Sequence, residues 1–125
     1  MKWTDSLTQW RKSRNITAPQ GAYVASIQEE LDEYTEALNA SDEHEMVDAL
    51  ADIMVFTANE MALMGYNLDL VMKQVVKEIS SRQQSPSQAA EWSQSGPSGK
   101  WQKDVNQDPS ILYKANFSSC KLASR

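Results

Sequence analysis

The stretch from about Asp42 to Met64 constrains this chain more than any other, because it reads as one helix that is apolar almost all the way round. On a helical wheel with Met46 at zero, Leu50, Met61, Met54, Val47, Ala58, Ala51 and Val55 span from about 40° to about 180°. Ile53, Phe56 and Leu63 cover the other flank, from about 260° to about 340°. A single polar line interrupts this surface: Asp48, Asn59, Asp52 and Glu45 share an arc about 60° wide. A helix of this kind is expected at the centre of a bundle or at a subunit interface. Carboxylates aligned on it repel one another and lose hydration, which costs several kcal/mol per ion unless positive charge compensates.

The chain supplies little such charge nearby. Between Arg14 and Lys73 it contains no lysine or arginine, yet the same interval holds Glu29, Glu30, Asp32, Glu33, Glu36, Asp42, Glu43, Glu45, Asp48, Asp52, Glu60 and Asp69. Hard divalent cations prefer oxygen ligands, so magnesium, with manganese able to substitute, is the expected counter-charge. A net charge of −5 argues against nucleic acid as a partner, since binders of the phosphate backbone present a basic face. The basic residues gather late, at Lys100, Lys103, Lys114, Lys121 and Arg125, where a tail can approach an anionic ligand.

The rest of the sequence reads as helices around this one. Trp3, Leu7 and Trp10 mark a short amphipathic helix ending near Arg14, and Ala18-Pro19 breaks it. From about Gln20 to Leu38, Val24, Ile27, Leu31, Tyr34 and Leu38 form the apolar stripe of a second helix, with Glu30 on its flank and Glu33 further toward solvent. Ser41 is the expected N-cap of the third helix and Gly65 its stop. Asn67 or Asp69 caps a fourth helix that ends near Arg82. The expectation is an all-α four-helix bundle over residues 1–82. Residues 83–125 are then a Ser/Gln/Pro/Gly-rich linker and an extended tail that packs on the bundle or on a neighbouring subunit.

No apolar run reaches the roughly 20 residues of a membrane span, and the N-terminus lacks the features of a secretory signal. The lone Cys120 fits a reducing compartment, so a cytoplasmic location is expected. So few helices leave the third one incompletely covered, which predicts a homodimer or homotetramer.

A link of only a few residues forces helices two and three to lie antiparallel and adjacent, so carboxylates from both can converge on metal. The motifs that carry this are Glu29-Glu30-Leu31-Asp32-Glu33 and, after the turn, Glu45-Met46-Val47-Asp48. Together with the run DALADIMVFTANEMALMGYNLDL, they resemble the EExxE and ExxD pair of the MazG-like all-α nucleoside triphosphate pyrophosphohydrolases. The resemblance spans about Gln20 to Arg82, and the GKWQKD run resembles phage-encoded members, which would place the protein in a host cytoplasm.

The resemblance implies magnesium-dependent hydrolysis of a nucleoside triphosphate between the α and β phosphates, giving a monophosphate and pyrophosphate. By position, Glu30, Glu33, Glu45 and Asp48 would ligate magnesium, and Glu29 would ligate a further ion or orient the water. Asp52 lies one turn beyond Asp48, and alignment on the apolar run and Asn59 makes Asp52 the motif aspartate instead, so both stand as candidates. Trp10, Gln20 and Asn59 are candidates for the base and sugar, and Lys73, Lys77 and Arg82 for the phosphates. A di-iron carboxylate bundle is set aside, because it expects two Glu-x-x-His motifs and the chain has one histidine. The competing reading is a non-catalytic helical module for dimerisation or partner binding, its acids a solvated face.

Overall fold

The computed structural model describes residues 2–81 and 112–122. It is all-α: α1 (Trp3–Ser13), α2 (Val24–Asn39), α3 (Glu43–Leu63) and α4 (Leu68–Ser80), with a short 3-10 turn at Ser118–Cys120. Among the described residues there is no strand; the one β-type pairing is an isolated antiparallel bridge between Tyr66 and Lys121. Two compact units are distinguished, Met1–Asp69 with Cys120–Arg125, and Leu70–Ser119. The expected boundary between residues 82 and 83, the Ser/Gln-rich linker, Arg82 and the GKWQKD run all lie outside the described residues.

In the first unit, α2 and α3 pack extensively, and a three-residue link makes them an antiparallel hairpin. The helix limits follow from local chemistry. α2 starts at Val24, not at Gln20: a turn from Pro19 O to Ala22 N and a left-handed Gly21 (φ 84°) delay its entry. α3 is capped by Asp42 rather than Ser41, because the Asp42 side chain accepts from the Glu45 amide at 3.2 Å. Ser41 instead occupies the left-handed region at φ 54°, completing the turn. Gly65 (φ 92°) stops α3 as expected, in a conformation that costs glycine nothing.

The packed faces differ from the apolar stripe read in the sequence. On α2 the less exposed positions are Ser26, Ile27, Glu30, Tyr34 and Ala37, whereas Val24, Leu31 and Leu38 are exposed. On α3, Ala49, Ala58 and Asn59 are buried, while Val47, Leu50 and Met54 are 60%, 47% and 57% exposed. Among the described residues, the third helix is thus covered on part of its circumference and does not lie at the centre of a bundle. Tyr23 and Phe56 close the packed seam, with ring centroids 5.7 Å apart.

The polypeptide returns to the first unit at its C-terminal end. The Asn67 amide donates to Cys120 O at 2.8 Å and the Leu122 amide to Gly65 O at 2.7 Å, so Lys121 is pinned beside the α3–α4 turn. Cys120 is a buried free thiol. In the second unit, residues 113–116 run along α4: the Tyr113 amide donates to Ser81 Oγ at 2.8 Å and the Ala115 amide to Glu78 Oε1 at 3.1 Å.

Candidate functional site

Because α2 turns Glu30 toward α3, that carboxyl enters the field of the acids on the facing helix. Burial, a shared hydrogen bond with Glu33 and repulsion from Glu33, Asp52 and Asp48 push Glu30 up to about 7. Glu30 Oε2 is closed to solvent and has no hydrogen-bond partner. Asp52 is raised by its burial and by the charges of Asp48 and Glu33. Glu30, Glu33, Asp48 and Asp52 therefore form one electrostatic set spanning the hairpin, and both candidate aspartates belong to it. Glu29 and Glu45, on the same two helices, are exposed.

Among the described residues, no group of three or more histidine, cysteine, aspartate or glutamate side chains is arranged to hold a metal ion as it stands. The donor set nonetheless fits a hard divalent cation, since every group in it is a carboxylate. The orphaned Glu30 Oε2 is the atom that such an ion would satisfy.

Further along α3 the polarity reverses. Asn59 is 3% exposed, and its Oδ1 accepts from Arg11 Nη1 at 2.9 Å; Arg11 Nη2 donates to Thr8 Oγ1 at 3.2 Å. Arg11 lines a cavity of about 1170 Å³ between α1 and the α3–α4 turn, together with Lys12, Lys121, Tyr66 and Leu63. Lys121 lies over the Tyr66 ring, 4.8 Å from its centroid. A second cavity of about 170 Å³ is lined by Ala18, Gln20, Glu60, Leu63 and Met64.

The remaining sequence candidates are scattered. Trp10 is 41% exposed, with the Arg14 guanidinium 5.1 Å from its ring, and it lines neither cavity. Asn59 Oδ1 accepts from Arg11. Gln20 borders the smaller cavity. In the second unit Lys73 is exposed, and Lys77 sits over the Tyr113 ring at 4.2 Å.

Residues 8–79, more than half of the chain, match the family model described as phosphoribosyl-ATP pyrophosphohydrolase. The chain belongs to that family. The phosphoribosyl-ATP pyrophosphohydrolase family is one of the MazG-like all-α pyrophosphohydrolases, so the resemblance carried by the two acidic motifs holds. No curated protein and no solved structure matches the chain.

The family is one of pyrophosphohydrolases, hydrolases acting on phosphoric anhydrides, so the enzymatic reading holds over the non-catalytic module. The family match begins in α1, well before Gln20. That earlier start takes in Arg11, which is not among the residues singled out from the sequence. Its only signal there is to be one of the last cations before the long acid-rich interval.

Proposed function

We propose that this pyrophosphohydrolase acts on nucleoside triphosphates with magnesium, manganese substituting, and cuts between the α and β phosphates to release a monophosphate and pyrophosphate. The observation that carries the reading is the buried, unpartnered Glu30 Oε2 set among Glu33, Asp48 and Asp52. A triphosphate brings about four negative charges, and these acids would repel it unless divalent cations stood between them.

Glu30, Glu33, Asp48 and Asp52 would hold the ion, with the exposed Glu45 and Glu29 of the same two helices available beside them. When bound, magnesium supplies charge neutralisation and lowers the pKa of a coordinated water. The carboxylates fix where the ion and the phosphates sit, and the packed hairpin holds their Cα positions. A carboxylate not engaged by the ion, Glu29 foremost, accepts the proton of the attacking water.

A panel of nucleotides incubated with magnesium tests this, with pyrophosphate and orthophosphate release measured separately. Pyrophosphate as the direct product supports the reading; orthophosphate as the direct product sinks it. The name of the family favours a second substrate, phosphoribosyl-ATP, which carries the same triphosphate and belongs in the panel. Turnover of that compound alone would replace the general triphosphate substrate.

The exposed Val47, Leu50 and Met54 on α3, with Leu31 and Leu38 on α2, support a homodimer or homotetramer in which a second copy covers the hairpin. No helix of the described residues is long and apolar enough to cross a membrane. A cytoplasmic setting, where triphosphates and magnesium are both plentiful, suits the activity.

A further inference from the structure

Arg11 is a half-buried cation whose hydrogen bonds go to two neutral groups, Asn59 Oδ1 and Thr8 Oγ1. Among the described residues no carboxylate pairs with it. Burial lowers its pKa, with the Tyr23 phenol as a smaller opposing influence, which marks a guanidinium stripped of part of its water without an anion in return. A cation held in this way is preorganised, because its fork is already oriented and its side chain has little freedom left to lose on binding.

Its location gives that preorganisation a direction. Asn59 stands seven residues beyond Asp52 on α3, about 10 Å along the helix axis, and on the wheel both fall in the same polar arc. The carboxylate set and the guanidinium thus lie along one side of one helix at a spacing that a polyphosphate or a nucleotide can bridge. Other charges around the cavity leave Arg11 available. Asp69 pairs with Lys2 at 3.5 Å and faces Thr4 Oγ1, and the Asp5 carboxylate is outnumbered by Lys12 and Lys121.

We propose that Arg11 is a phosphate-binding residue of this enzyme, gripping a phosphoryl group of the nucleotide in the cavity between α1 and the α3–α4 turn, with Asn59 and Thr8 as its positioning residues. The assignment rests on the pyrophosphohydrolase reading. The phosphoryl group belongs either to the pyrophosphate half or to the monophosphate half of the substrate.

Calorimetry on the full chain with magnesium, using inorganic pyrophosphate and a nucleoside monophosphate as separate probes, tests the assignment even without turnover. The expected result is that Arg11→Gln weakens binding of one probe by about tenfold or more, whereas Arg11→Lys weakens it less. The affected probe identifies which half Arg11 holds. Asn59→Ala should weaken the same probe, while the magnesium midpoint for thermal stabilisation stays at the wild-type value in all three variants. Where turnover is measurable, the KM of the triphosphate rises by a similar factor in Arg11→Gln. Unchanged affinity for both probes in Arg11→Gln, or no binding of either probe to the wild type, overturns the assignment. If Arg11→Gln fails to fold, Arg11→Lys and Asn59→Ala carry the same comparison. Failure of the functional reading is distinguishable: it appears as wild-type protein that binds a probe but releases no pyrophosphate from any nucleotide.

Discussion

The guanidinium of Arg11 donates to Asn59 Oδ1 across 2.9 Å, tying α1 to α3 through side chains 48 positions apart in the chain. Hydrogen bonds from charged donors contribute about 1.5–3 kcal/mol, and removing the Asn59 amide leaves the half-buried Arg11 donor without its acceptor. Asn59→Ala should therefore destabilise the fold by about 1–3 kcal/mol in chemical denaturation. A change within a few tenths would mean that the contact has no energetic weight.

The raised Glu30 makes stability depend on pH in a defined direction. Its folded value of about 7 stands above the ordinary 4.5, so between those values the folded chain retains a proton that the unfolded chain has released. Metal-free protein should keep this contribution in full below about pH 4.5, lose it progressively as pH rises to about 7, and show no further loss above. Asp52, also raised, adds a change of the same sign. Thermal unfolding of wild type minus Glu30→Gln across this range isolates the effect, and a difference that grows with pH in favour of wild type would contradict it.

Magnesium should reverse that behaviour. An ion that binds the folded state alone raises stability by mass action, so the melting temperature should climb with magnesium concentration near neutral pH. Glu30→Gln and Asp52→Asn should each blunt the climb and reduce pyrophosphate release by about a hundredfold. Without metal the same variants should unfold no more easily than wild type, because each removes a repelling charge. Wild-type protein whose melting temperature ignores magnesium would remove the basis for the metal site.

Met54 is 57% exposed and Leu50 47% on a helix that otherwise carries the family's acidic motif. Replacing Met54 with glutamate places charge on the face expected to meet a second copy, where an unpaired buried charge is strongly unfavourable. Sedimentation should show wild type as a dimer or tetramer and Met54→Glu shifted toward monomer. A wild type that is monomeric at all concentrations would refute this face as an interface.

At Gly65, φ 92° coincides with room for a β-carbon, whose nearest neighbour would be Lys121 Cε at 3.5 Å. Backbone conformation, not crowding, is then what Gly65→Ala disturbs, with an expected loss of about 1–2 kcal/mol. Equal melting temperatures for the two proteins would show that the turn can relax.

Much of the architecture is legible along the chain because it rests on local chemistry. The apolar run of α3, the Gly65 stop and the Ala18-Pro19 break act over a few residues, and the acidic motifs mark the hairpin that holds the carboxylates. Boundaries shift where two local signals compete. Ser41 is a good cap on composition, yet Asp42 takes the role because Ser41 is needed in the left-handed turn. The packed face of α2 departs from its periodicity for a different reason. Its leucine stripe is the stronger periodic signal, but within one chain that stripe points outward. The small Ser26 and Ala37, flanking Ile27 and Tyr34, allow the close approach that brings Glu30 inward.

The acidic residues of the proposed cation site, and the helices that carry them, are thus written in composition and spacing. Which acids share one field, and which residue Arg11 meets, depends on packing between segments far apart in the chain. Charge interactions fall off with distance through space and are indifferent to distance along the backbone. That is why Glu30 with Asp52, and Arg11 with Asn59, become visible once the helices are assembled.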